Sequence, residues 1–246
     1  LFWQWATSVP ERVHGSYALI GLRRTGKTAI LHRLFNRLFH EQEKVVPIYI
    51  SFARYLKRAE PIDSYEFVKE YFSGLVRSYL AFRYREPELI RLRVEYEALL
   101  EFAQQQADEL VVEWFKRYKS VQADPDDRTR AHSLMQWAIN LPKGYAWGRN
   151  QPMVIIIDEF QVLTRVYNPD TQRVRSLTDS FQEASETHWA PLLVSGSSVS
   201  MMVDDALGGG LSGRFRSIHL GPLSQEYAYQ MIFQLGQRNN ITVTEE

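Results

Sequence analysis

A doubly wound α/β fold built on a parallel sheet is predicted by three features of this chain. Two short runs, Met153-Val-Ile-Ile-Ile157 and Pro191-Leu-Leu-Val-Ser195, are almost continuously apolar, as parallel strands covered on both faces are. Helical patterns separate the strand-like runs, which points to βα units. Residues suited to phosphate and metal chemistry, Gly21 to Thr28 and Asp158-Glu159, follow two of the runs, where such a sheet places its ligands.

The first strand is expected at 16–21, from Ser16-Tyr-Ala-Leu-Ile20, and a helix at Ala29 to Phe39, where Ile30, Leu31, Leu34, Phe35, Leu38 and Phe39 share one face. Between them Gly21-Leu22-Arg23-Arg24-Thr25-Gly26-Lys27-Thr28 fits the phosphate-loop pattern G-x-x-x-x-G-K-[ST]. Its glycines let successive backbone N–H groups point inward at the positive end of the helix dipole. Lys27 is suited to the β- and γ-phosphates of a nucleotide and the Thr28 hydroxyl to Mg²⁺. Arg23 and Arg24 either touch phosphate or pair with acids at the base of the loop.

A second strand is read at Val45-Val-Pro-Ile-Tyr-Ile-Ser-Phe52, and residues 60–141 as a wholly helical insert. Asp63 with Glu66 resembles a capping box, and Phe67, Val68, Tyr71, Phe72, Leu75, Val76, Tyr79 and Leu80 keep a 3.6-residue period. Pro87 opens one further helix carrying Leu89, Leu92, Tyr96, Leu99, Ala103, Leu110 and Trp114. Ala123-Asp-Pro-Asp-Asp127 breaks it, and a shorter amphipathic pattern spans Ala131 to Leu141. Arginine and tyrosine interleave here, but residues 75–119 hold eight basic and eight acidic side chains. That balance favours a solvated face over an aromatic core rather than a nucleic-acid surface.

The third strand, 153–157, ends in Asp158-Glu159. Asp158 emerges where it can hold the Mg²⁺ shell through water, and Glu159 where a carboxylate can orient an attacking water. The fourth strand is 191–195 and the fifth Ser217-Ile-His-Leu220. Right-handed crossovers gather the loops carrying Lys27, Asp158 and Ser195 along one edge of the sheet. Gly208-Gly-Gly210 is a flexible loop before Arg214.

Composition narrows the options. Lys+Arg and Asp+Glu both number 29 in 246 residues, so the formal charge is zero and no global argument for nucleic acid exists. There is no cysteine, which excludes disulfides, thiolate catalysis and zinc–thiolate sites. No apolar run approaches the roughly 20 residues of a membrane span, and no signal peptide is visible. The expectation is a cytoplasmic protein without a membrane partner. The six histidines lack metal-ligand spacing, and His188 and His219 are read as structural. Phe2-Trp-Gln-Trp5 either packs under the sheet or holds the adenine. The chain begins at Leu1 and a helical pattern runs into its end, which suggests a piece of a longer protein.

Gly21 to Thr28, the run ending Asp158-Glu159-Phe160-Gln161, Leu193-Val-Ser-Gly-Ser-Ser198 and Leu211-Ser-Gly-Arg-Phe215 together resemble the archaeal-type ATPases. These belong to the STAND and AAA+ branch of P-loop NTPases, related to origin-recognition initiators, and the resemblance covers about residues 16–240. It implies a P-loop NTPase fold, a five-stranded parallel sheet in the order 5-1-4-3-2 and helices on both faces. It also implies an ATPase core at 1–222 and the start of a C-terminal helical lid at 223–246, with Tyr229, Ile232, Phe233 and Gly236 on one side. ATP or ADP and Mg²⁺ are the implied ligands, and self-association or a protein partner the implied assembly. A polar residue after the fourth strand, Ser197 or Ser195, would sense the γ-phosphate. Arg214 first, or Arg216, would act as an arginine finger. Three functions follow: an ATPase coupled to conformational change, a nucleotide-gated switch with little turnover, or, less well suited to Asp158-Glu159, a small-molecule kinase.

Overall fold

The computed structural model describes residues 1–123, 130–197 and 201–238. The break at 123–127 lies outside these from 124 on, as do Ser198 and lid residues 239–246. In chain order the strands are β1 (Ser16–Gly21), β2 (Val46–Ser51), β3 (Ile62–Asp63), β4 (Met153–Asp158), β5 (Val166–Asn168), β6 (Arg173–Arg175), β7 (Leu192–Gly196) and β8 (Phe215–Leu220). The helices are α1 (Phe2–Thr7), α2 (Lys27–Glu41), α3 (Ser64–Tyr84), α4 (Glu88–Arg91), α5 (Tyr96–Gln105), α6 (Glu109–Gln122), α7 (Arg130–Arg149), α8 (Gln182–Glu186) and α9 (Gln225–Arg238).

Five strands form one all-parallel sheet in the order β2-β4-β7-β1-β8. Numbered by the five expected strands, this is 5-1-4-3-2 read from the other edge. Every residue of β1, β4 and β7 is buried, which is why their sequences read as unbroken apolar runs. Alternation along β2 shows the two covered faces. The ring of Tyr49 meets Phe35 of α2, whereas Ile50 lies against Gly74 of α3.

The insert begins as expected. Asp63 caps α3 by accepting hydrogen bonds from the Tyr65 and Glu66 amides, while Glu66 pairs with Arg58 instead of closing the box. Phe72 of α3 packs against Tyr96, Phe115, Tyr118 and Trp137, so much of the aromatic content faces inward. Arg83, Arg91 and Arg93 pair with Asp108, Glu88 and Glu70, as the solvated-face reading requires.

Three expectations about this region need correction. The single helix after Pro87 is three helices: Arg93 and Ala107 adopt left-handed backbone, and Asp108 then caps α6. Leu92 is consequently exposed. The helix expected to end at Leu141 runs on through Pro142 to Arg149. Proline costs a backbone hydrogen bond there, and burial of Tyr145 against Tyr79 and Trp114 offsets it. Nor is the insert wholly helical, because β3 joins β5 and β6 in a small second sheet. Strands of two and three residues are too short to show a period.

The aromatic segment at the N-terminus packs beside the sheet. Trp5 is buried, its indole N–H donates to Gly15 O at 3.0 Å, and its ring meets Tyr17. Trp3 lies under the Arg37 guanidinium on α2. Among the described residues no helix is long and apolar enough to cross a membrane.

Candidate functional site

The loop between β1 and α2 closes tightly against the sheet edge. Gly26 has φ +92°, a conformation that side chains with a Cβ resist. A Cβ on Gly21 would stand 2.6 Å from the backbone oxygen of Leu220 on β8, so only glycine fits there. Lys27 begins α2 and is buried. Its ammonium donates to Gly21 O at 2.8 Å and Leu22 O at 2.7 Å. Burial pulls this lysine below its ordinary pKa, and the nearby charges of Glu159 and Asp158 partly counter that.

Sheet order brings the second half of the site to the loop. The Thr28 hydroxyl donates to Asp158 Oδ2 at 2.8 Å. Ser195, at the end of β7, donates to Asp158 Oδ1, which also accepts the Glu159 amide at 3.1 Å. The Tyr49 hydroxyl reaches Asp158 Oδ2 at 3.4 Å. Burial first, then Asp158, raises the Tyr49 phenol above its ordinary value and keeps it a donor.

Glu159 leaves the strand in a left-handed conformation, φ +61°. Its Oε2 accepts from Gln161 Nε2 at 2.5 Å, Ser197 Oγ at 2.9 Å and the Ser197 amide at 3.3 Å. Ser195 and Ser197 therefore divide the work: the first binds the aspartate, the second the glutamate. A cavity of about 470 Å³ opens beside them, lined by Arg23, Arg24, Lys27, Thr28, Glu159 and Ser197 among others. Arg23 and Arg24 are both exposed, and among the described residues neither pairs with an acid. Of the two readings left open for them, pairing with acids at the base of the loop is not seen among the described residues.

Thr28 and Asp158 are hard oxygen donors at hydrogen-bond distance, a set that suits Mg²⁺ and leaves places for water and phosphate. Among the described residues no group of three or more His, Asp or Glu forms a metal cage. His188 Nδ1 contacts His14 O at 3.1 Å, and His219 lies within β8, paired with Ile20.

The arginines near β8 are not brought to the cavity. Arg214 pairs with Glu186 at 2.8 Å, and Arg216 donates to Tyr17 at the start of β1. Because β8 and β1 run parallel, residues preceding β8 lie at the edge opposite the loop that follows β1. Sequence reasoning missed Tyr49, Gln161 and the cavity-lining Ala53, Leu56 and Lys57. Tyr49 could have been found from the pairing of β2 with β4; Lys57 carries no local signal.

Sheet and loop together define a P-loop NTPase fold. Among solved structures, a Walker-type ATPase of Pyrococcus abyssi superposes on 99% of this chain and 59% of its own, with 16% identity and a TM-score of 0.55. Less similar are the Orc1 protein of Aeropyrum pernix, solved in complex with DNA, and the ORC2 protein of the same organism, solved as ADPNP–ADP complexes. The first has 13% identity, 95% of this chain, 47% of that one and a TM-score of 0.49. The second has 14%, 95%, 51% and 0.46. The likeness expected to archaeal P-loop ATPases is thus found, as a likeness of fold. This chain spans 59% of the length of the Pyrococcus protein and about half of the others. No protein-family model and no curated protein matches it.

Proposed function

We propose that this chain binds ATP with Mg²⁺ in the loop cavity and hydrolyses it, coupling the nucleotide state to conformational change or assembly in the manner of STAND and AAA+ ATPases. The observation that carries the reading is the contact of Thr28 with Asp158, with Lys27 and Glu159 at the same cavity. The loop amides of residues 21–28 hold the phosphates, and Lys27 exchanges its two carbonyl partners for β- and γ-phosphate oxygens. Thr28 and Asp158 hold Mg²⁺, which when bound neutralises charge on the phosphates. Glu159 orients a water and takes its proton as the water oxygen attacks the γ-phosphorus, while the bond from that phosphorus to the bridging oxygen breaks and ADP leaves with the electron pair. Ser197 positions Glu159.

Arg214 is assigned to the cavity of a second copy, since within its own chain it is tied to Glu186 at the other edge. Residues 223–246 are assigned to the start of a helical lid. In support, α9 leaves Tyr227, Met231, Ile232 and Leu235 exposed. A second copy or a protein partner is the proposed assembly; a zero formal charge offers nothing toward nucleic acid. The cytoplasm is the proposed location.

One observation favours the alternative, a nucleotide-gated switch with little turnover. Glu159 already spends one carboxylate oxygen on Ser197 and Gln161. Phosphate release from Mg²⁺-ATP, measured across protein concentrations with Lys27→Ala as the blank, separates the two. Turnover per chain that rises with concentration supports an assembling ATPase. Tight nucleotide retention with no release above the blank supports the switch.

A further inference from the structure

Beside the proposed nucleotide cavity lies a second one of about 200 Å³, lined by Tyr55, Ile62, Gln161 and Arg165 among others. Arg23, Leu56 and Ser197 line both. Of the loop residues 21–28, Arg23 alone does so; Arg24, Gly26, Lys27 and Thr28 line the first cavity only. Ser197 is hydrogen-bonded to Glu159, so the border between the cavities marks the Glu159 end of the nucleotide site. Arg23 therefore stands at that end, with an exposed guanidinium that has no ion-pair partner among the described residues. Two carboxylates, Asp158 and Glu159, already occupy this end. For a terminal phosphate arriving there, Arg23 adds positive charge from its own chain to that of Lys27 and the bound Mg²⁺. A planar guanidinium gives that charge and pairs with phosphate oxygens through two parallel hydrogen bonds.

We propose that Arg23 contacts the third phosphate of a nucleotide bound by its own chain and sets the preference for ATP over ADP. This rests on the nucleotide reading above and is independent of Arg214. The test is calorimetric titration of the wild-type chain, Arg23→Ala and Arg23→Lys with Mg²⁺-ADP and with a Mg²⁺-ATP analogue whose β–γ bridge cannot be hydrolysed. Arg23→Ala is expected to weaken the triphosphate roughly 10- to 100-fold and the diphosphate less than about twofold, with Arg23→Lys in between. Thermal melting checks that the variants fold, and Arg23→Lys carries the test alone if the alanine variant does not. Equal loss for both nucleotides, or loss for neither, overturns the assignment and leaves the nucleotide site standing. A wild-type chain that binds neither nucleotide overturns the site reading and this assignment with it.

Discussion

Thr28 and Asp158, 130 positions apart in the chain, meet through a 2.8 Å hydrogen bond. The bond ties the first turn of α2 to the end of β4, although β7 and β1 follow β4 in the sheet order. Asp158 spans that gap because its carboxylate accepts from Thr28, Ser195, Tyr49 and the Glu159 amide at once. A fully buried carboxylate that receives this many donors is held in one orientation.

Asp158→Asn replaces one acceptor oxygen with an amide that faces donors. Nucleotide affinity in the wild type should fall when EDTA removes the metal, and the variant should show little further loss on the same treatment. Titration of a fluorescent nucleotide with and without EDTA reads this directly. An unchanged EDTA response in the variant removes Asp158 from the metal site.

Lys27→Ala deletes the ammonium at the heart of the loop. Binding of Mg²⁺-ATP should drop by at least about 100-fold, in keeping with the loss of a charge-assisted phosphate contact in a desolvated site. Because Lys27 also ties Gly21 and Leu22, a melting curve belongs beside the titration to separate loss of contact from loss of loop shape.

Glu159→Gln keeps the size of the side chain and removes the carboxylate proposed as the base. Binding should persist while turnover falls roughly 100- to 10,000-fold, the span typical of a general base, and ATP should remain trapped. Single-turnover phosphate release measures it. Hydrolysis at the wild-type rate would take Glu159 out of the chemistry.

Gly21→Ala places a methyl group 2.6 Å from Leu220 O, so β1 and β8 must part or the loop must shift. A lower melting temperature together with weaker nucleotide binding is expected. Normal values for both would mean that the sheet edge yields easily.

Phe72→Ala tests the insert independently of the site. Phe72 is fully buried and its ring touches four aromatic neighbours. Truncation should cost about 3–5 kcal/mol, the usual range for a core phenylalanine. Chemical denaturation reads the change.

What the residues determine unaided is local or strictly periodic. The loop at 21–28 is legible because phosphate binding demands glycines, a lysine and a hydroxyl at fixed spacing. The strands at 153–158 and 192–196 are legible because burial on both faces leaves them apolar throughout. Long apolar periods likewise reveal α2 and α3. What tertiary structure alone decides is which distant groups share an environment. The division of Ser195 to Asp158 and Ser197 to Glu159, the reach of Tyr49 to the aspartate and the clamp of Gln161 on the glutamate all depend on the register of strands far apart in sequence. The same holds for the division of one expected helix into α4, α5 and α6, and for Pro142 inside α7. Local propensity there is weaker than the packing energy of the aromatic side chains around Phe72, Tyr79 and Tyr145, and packing exists only once the chain has folded.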